Sequence, residues 1–198
     1  MRSFLEINDK AKVIVSPEAV GKAFFSTRGN FHSITTAWPL EAMEGRTIRV
    51  DGNLELNEEI HIIVDITQAY PLPEGNRNLL VGSNQDEFRP DSFRHEIAFY
   101  VDGVLFTGCA HHGLENLLAA CPWPVKTVIG GFHLLDSKDG IFYESVADLE
   151  DMGNRLLDKY PGTTFYTGHC TGDHAFKTLK GVLVDHLQFF SDGLQILL

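Results

Sequence analysis

Apolar positions in the first half of the chain fall in short runs, and they take helical spacing mainly in the second half. Lys12 to Ser16 is β-branched and predicts a strand. Pro17 suits a first helical turn and Glu18 its positive end, so a helix is expected through Ala19, Val20, Ala23 and Phe24 to Phe25 or Ser26. Residues 27–46 show no clean period and read as loop. Thr47 to Val50 and Leu54 to Leu56 flank Asp51-Gly52, a hairpin signal. Ile60 to Ile66 and Leu79 to Val81 are strand-like, with loops expected over 67–78 and 83–93. Arg94 to Val101, Asp102-Gly103 and Val104 to Phe106 form the clearest hairpin.

Strand and helix then alternate. A helix is expected over Leu114 to Ala120, a buried strand over Val125 to Ile129, and a turn-rich loop over 136–140. Ser145 to Tyr160 places Val146, Leu149, Met152, Leu156 and Leu157 on one stripe, stopped by Pro161-Gly162. Thr163 to Tyr166 predicts a strand, and Asp173 to Val184 a helix capped by Asp173, with Phe176, Leu179 and Leu183 inward. Gln188 to Phe190 and Leu194 to Leu197 would close a last hairpin around Ser191-Asp192-Gly193. This order predicts an α/β fold of sheets covered by helices.

The 198 residues suffice for one domain with a core, spanning 1–198. A formal charge of -11 argues against nucleic acid as a partner. No apolar run approaches the ~20 residues that cross a bilayer, so no membrane partner is expected. The first residues lack a signal-peptide pattern, and Cys109, Cys121 and Cys170 form no disulfide framework, so a cytoplasmic location with reduced thiols is expected. Cys121 reads as a small apolar filler.

Three strand-like runs end in glycine and an imidazole. Val104 to Phe106 leads to Gly108, Cys109, His111 and His112; Val128-Ile129 leads to His133; Phe165-Tyr166 leads to His169 and Cys170. Loops at the C-terminal ends of strands commonly hold ligands in layered α/β folds. Imidazole and thiolate suit zinc, and a bound divalent ion can activate water for hydrolysis. Blander roles stand beside these: His111 as a helix cap, His112 as a solvent-facing neighbour, His133 as a hydrogen-bonded core histidine, His169 as a turn residue, Cys109 and Cys170 as packed thiols. His32, His61, His95, His174 and His186 read as structural. Asp148, Glu150 and Asp151 read as a solvated helix face.

The stretches Gly108-Cys109-Ala110-His111, Gly130 to Leu134 and Thr167 to Gly172 resemble motifs of the metallo-β-lactamase fold superfamily. The branch they resemble is that of dihydropterin-ribofuranosylaminobenzene phosphate synthase-like metal-dependent hydrolases. The resemblance runs from about Phe4 to Leu198. It implies an αββα sandwich, N-terminally incomplete: the HxHxDH motif of the superfamily does not occur, and Phe4 to Ser16 resembles the segment that normally succeeds that motif. The expectation is therefore one metallo-β-lactamase-like domain lacking its N-terminal third. The resemblance implies a metal-dependent hydrolase with one or two divalent ions, usually zinc. It maps His111 and His169 to metal ligands, Cys109 to a further candidate ligand, and His133 to a catalytic position lining the substrate site. It implies a small-molecule substrate, phosphorylated or pterin-like. A lost HxHxDH motif would leave activity in doubt, with a non-catalytic small-molecule-binding protein as the alternative. Apolar surface left by a missing layer would favour an oligomer.

Overall fold

The computed structural model describes residues 1–82, 87–136 and 142–196. Strands in chain order are β1 (Val13–Val15), β2 (Ala23–Ser26), β3 (His32–Ser33), β4 (Thr47–Arg49), β5 (Leu54–Glu55), β6 (Ile60–Ile63), β7 (Leu79–Gly82), β8 (Phe88–Pro90), β9 (Ala98–Val101), β10 (Val104–Phe106), β11 (Thr127–Ile129), β12 (Thr164–Thr167) and β13 (Leu187–Phe189). Helices are α1 (Arg2–Ile7), α2 (Leu40–Met43), α3 (Leu114–Ala120), α4 (Val146–Lys159) and α5 (Asp173–Leu183).

The large sheet runs β13-β12-β11-β10-β9-β6-β5. Its register aligns Tyr100, Leu105, Val128, Phe165 and Leu187 in one row across five strands. Side chains of one row share a face. That face is buried against Leu114, Leu117 and Leu118 of α3, Leu149 and Leu156 of α4, and Leu179 and Leu183 of α5. Helical spacing on each helix and alternation on each strand thus meet in one core. Ser145 caps α4, accepting from the Asp148 amide at 3.1 Å. The β9–β10 hairpin turns on Asp102 (φ 44°) and Gly103 (φ 85°), the two left-handed residues that a tight two-residue turn needs.

Parallel pairing of β10 with β11 and of β11 with β12 decides the location of the site. Parallel neighbours present their C-terminal ends at the same sheet edge. The loops after Phe106, Ile129 and Thr167 therefore emerge together.

The N-terminal half differs from the sequence expectation in several places. Pro17 does not open a helix: residues 17–21 turn, and 23–26 form β2, antiparallel to β7. Gly21 at φ 80° interrupts helical geometry, and β2 buries Phe25 against Phe31 and Phe88, so tertiary pairing overrides local propensity. Thr47 to Leu56 is not a hairpin. β4 pairs parallel with β1, and β5 pairs with β6, so Asp51-Gly52 links two sheets. Residues 27–46 contain β3 and α2, and the loop expected over 83–93 contains β8; residues 83–86 lie outside the described ones. At the C-terminus, β13 runs parallel to β12, and 194–196 are not a strand; Leu197 and residues 137–141 lie outside the described residues. Asp173 is the first helical residue rather than the cap, and Val146 is exposed.

Among the described residues no helix is long and apolar enough to cross a membrane.

Candidate metal and substrate site

Three loops carry five donor side chains to one cavity of about 580 Å³, lined by Cys109, His111, His133, His169 and Cys170. Ser26, His32 and Leu79 of the strands and the adjoining Arg28 and Ile34 form its other wall, so the small β3-β2-β7-β8 sheet closes it. The donor atoms of Cys109, His133 and Cys170 all lie within 4.8 Å of one another. The His111 and His133 rings are 4.2 Å apart, centre to centre.

Each donor loop holds a non-glycine residue in the left-handed region: Ala110 (φ 56°), His133 (φ 52°) and His169 (φ 54°). Such residues cost about 1–3 kcal/mol each and persist where the surroundings fix them. The surroundings here are identifiable. Glu96 is buried, and its carboxylate accepts from the His111 amide (2.6 Å), the His112 amide (2.7 Å) and His112 Nδ1 (2.8 Å). Burial pushes the Glu96 carboxyl up, but these bonds from His112 and His111 outweigh it and hold the carboxyl below its usual range. His111 Nδ1 meets Asn76 Oδ1 at 3.0 Å, Asn76 Nδ2 donates to the His111 carbonyl at 2.7 Å, and Phe93 stacks on the ring at 4.5 Å.

The other two loops lock onto each other. The Phe132 amide donates to Thr171 Oγ1 (3.0 Å), and the His133 amide to Cys170 Sγ (3.3 Å). Asp136 accepts from the amides of Asp173 (2.8 Å) and His174 (3.1 Å), which caps α5. Gly131 is required by the close approach: a Cβ there would stand 2.3 Å from Cys170 Sγ.

His133 is buried, yet neither ring nitrogen has a hydrogen-bond partner among the described residues. Burial lowers its pKa, which favours the neutral ring. The Cys170 thiol beside Cys109 holds Cys109 well below the usual thiol range against the opposing effect of burial, with His111 and His133 adding to the shift; Cys170 is pushed up in turn by Cys109. Two cysteine sulfurs and a buried imidazole, all within 4.8 Å of one another, make a donor set suited to a soft divalent ion such as zinc. The residues present therefore fit a metal.

Of the residues that the sequence singled out after the three strands, Cys109, His111, His133, His169 and Cys170 line the cavity, and His112 does not. His111 does not cap α3, whose N-cap is Gly113. His112 is not a free solvent neighbour: it is half-buried and paired with Glu96. His32, read as structural, lines the cavity. His61 stacks on Trp123 at 3.8 Å, and His95 packs against Phe24 at 4.8 Å. Sequence reasoning missed Glu96, Asn76, Phe93 and Arg28. Only the triplet His95-Glu96-Ile97 before a strand hinted at Glu96, since a charged residue entering an apolar strand needs a buried partner.

No protein-family model matches the chain. Over 100 residues, 48% of this chain, it is 30% identical to the uncharacterized protein MJ0448 of Methanocaldococcus jannaschii, and that match spans 33% of the relative's length. The structure is similar to the crystal structure of Tm1679, described as a metal-dependent hydrolase of the beta-lactamase superfamily, with a TM-score of 0.72 and 21% identity, covering 94% of this chain and 71% of that one. This likeness shows the fold: an α/β sandwich of metallo-β-lactamase type.

Proposed function

We propose that this chain acts in metal-dependent hydrolysis of a small molecule, with the metal held at the Cys109, His133 and Cys170 cluster. The observation that carries the reading is the buried His133 ring, with both nitrogens unpartnered among the described residues, facing two sulfurs within 4.8 Å. The fold shared with Tm1679, itself described as a metal-dependent hydrolase, supports it. His111 and His169 line the same cavity and are the further ligand candidates, as the motif resemblance implies. The resemblance to the dihydropterin-ribofuranosylaminobenzene phosphate synthase-like branch supports zinc and a phosphorylated or pterin-like substrate.

A divalent ion bound there would supply a Lewis acid that polarises the scissile group and acidifies water. The chain's own residues do the rest. Arg28 and His32 place cationic and hydrogen-bonding groups on the wall opposite the donors, where an anionic group of the substrate would lie. Ile34 and Leu79 add apolar surface to that wall, and Leu135 adds it on the donor side. A second cavity of about 180 Å³ shares Ile34, Leu79 and His111 with the first and is lined by Phe24, Trp38 and Phe93, faces suited to a planar ring.

Zinc measured in the purified chain, in Cys109→Ala and in His133→Ala tests the metal site. The expected result is near-stoichiometric zinc in the parent and a loss of at least about tenfold in affinity in each variant. Equal zinc in all three overturns the site. Turnover of aryl phosphate esters that is abolished by a chelator and restored by zinc tests hydrolysis. Aromatic phosphate binding that ignores the chelator would favour the non-catalytic binding protein.

A further inference from the structure

Cys109 and Cys170 lie 61 residues apart, on loops after β10 and β12 with β11 between them in the sheet. Their sulfurs nevertheless fall within 4.8 Å of each other. Cys170 Sγ also approaches the Cys109 carbonyl oxygen at 3.7 Å and accepts from the His133 amide at 3.3 Å. These contacts aim the Cys170 side chain at the Cys109 loop rather than at the core. Both thiols are half-buried and line the open 580 Å³ cavity, so a small solute reaches them. Cys121 is different: it is buried at the end of α3, and its thiol meets the Trp123 carbonyl at 3.7 Å.

A disulfide needs its sulfurs at about 2.05 Å. Closing the gap takes a movement of the sulfurs of less than about 3 Å.

We propose that Cys109 and Cys170 form a reversible intramolecular disulfide, so that oxidation removes both sulfurs from the metal cluster. Two S–H bonds break and one S–S bond forms. The two electrons and two protons reduce one hydrogen peroxide to two waters; a low-molecular-weight disulfide would instead be reduced to two thiols. The chain then alternates between a reduced form that holds metal and an oxidised form that does not. That consequence rests on the metal reading above, whereas the bond itself does not.

The test uses the full chain, stripped of metal with chelator and treated with a small excess of hydrogen peroxide before alkylation of free thiols. The expected result is one alkylated thiol in place of three, a mass lower by two hydrogens before alkylation, and a linked peptide joining residues 109 and 170 that dithiothreitol reverses. Cys121→Ser retains the link, and Cys109→Ser and Cys170→Ser each abolish it. Three free thiols after oxidation, a bridge containing Cys121, or links only between molecules overturn the proposal. The zinc-loaded chain is oxidised in parallel, with released zinc read by a chromogenic chelator. Release of zinc in step with the disulfide supports both readings. A 109–170 link in a chain that never retained zinc supports the disulfide and overturns the metal site. Retained zinc with all thiols free overturns the disulfide and leaves the metal site standing.

Discussion

The large sheet and the four-stranded sheet contribute to the site in different ways. The row Leu105, Val128, Phe165 and Leu187 is fully buried beneath three helices. On the small sheet both residues of β3 are exposed, and Phe31 is 55% exposed even while stacked on Phe25. The donors Cys109, His133 and Cys170 stand on loops of the deeply packed sheet. Arg28, His32 and Ile34, which would contact the variable part of a substrate, stand on the shallow one. Groups that must meet one ion need fixed positions, and groups that meet a ligand tolerate movement. On the function proposed, the two regions thus divide stability and recognition between them.

Substitutions that respect or cross this division have graded effects. Phe165→Ala removes a fully buried ring from the helix-backed core and is expected to cost about 3–5 kcal/mol, read by urea denaturation. A loss below about 1 kcal/mol would show that the two regions are equally loose. Glu96→Gln breaks the clamp on the His111 loop, because an amide offers one acceptor where the carboxylate serves three donors. It is expected to cost about 1–3 kcal/mol at neutral pH.

The same carboxylate predicts a pH dependence with a definite sign. Its folded pKa lies below the unfolded one, so its contribution is complete above the ordinary carboxylate range and is lost as pH falls through the depressed value. Stability measured by denaturation from neutral pH down through the carboxylate range should therefore fall in the parent and fall less steeply in Glu96→Gln. Ser145→Ala removes the side-chain cap of α4 and is expected to cost about 1 kcal/mol by the same measurement. Leu40→Ser, at the start of α2, outside both regions and 60% exposed, should change stability by no more than about 0.5 kcal/mol. A larger effect there would mean that this face is packed against something in solution.

The clearest parts of the sequence were those where local chemistry and tertiary pairing agree. Asp102-Gly103 alone suits a two-residue hairpin, and the stripe Leu149, Met152 and Leu156 suits a helix with one buried face. Local signals misled where a distant strand competed for the same residues. Pro17-Glu18 is a good helix start, but the chain after Gly21 pairs with β7 and sets Phe25 against Phe88. Asp51-Gly52 is a good hairpin turn, but Val13 to Val15 takes β4 as a partner. The candidate site was partly legible because glycine, cysteine and histidine recur after three short apolar runs. Its inner geometry was not legible, since nothing in the spacing sets Cys170 beside Cys109 or Glu96 beneath His111.

From residue order alone came the kinds of atoms at the site, the runs that deliver them and the expectation of an α/β fold of sheets covered by helices; the αββα sandwich was what the motif resemblance implied. Only the folded chain decided which donors share a point, because parallel pairing of β10, β11 and β12 is a choice among distant partners. Periodicity reports which face of an element is buried; it carries no information about which neighbour buries it.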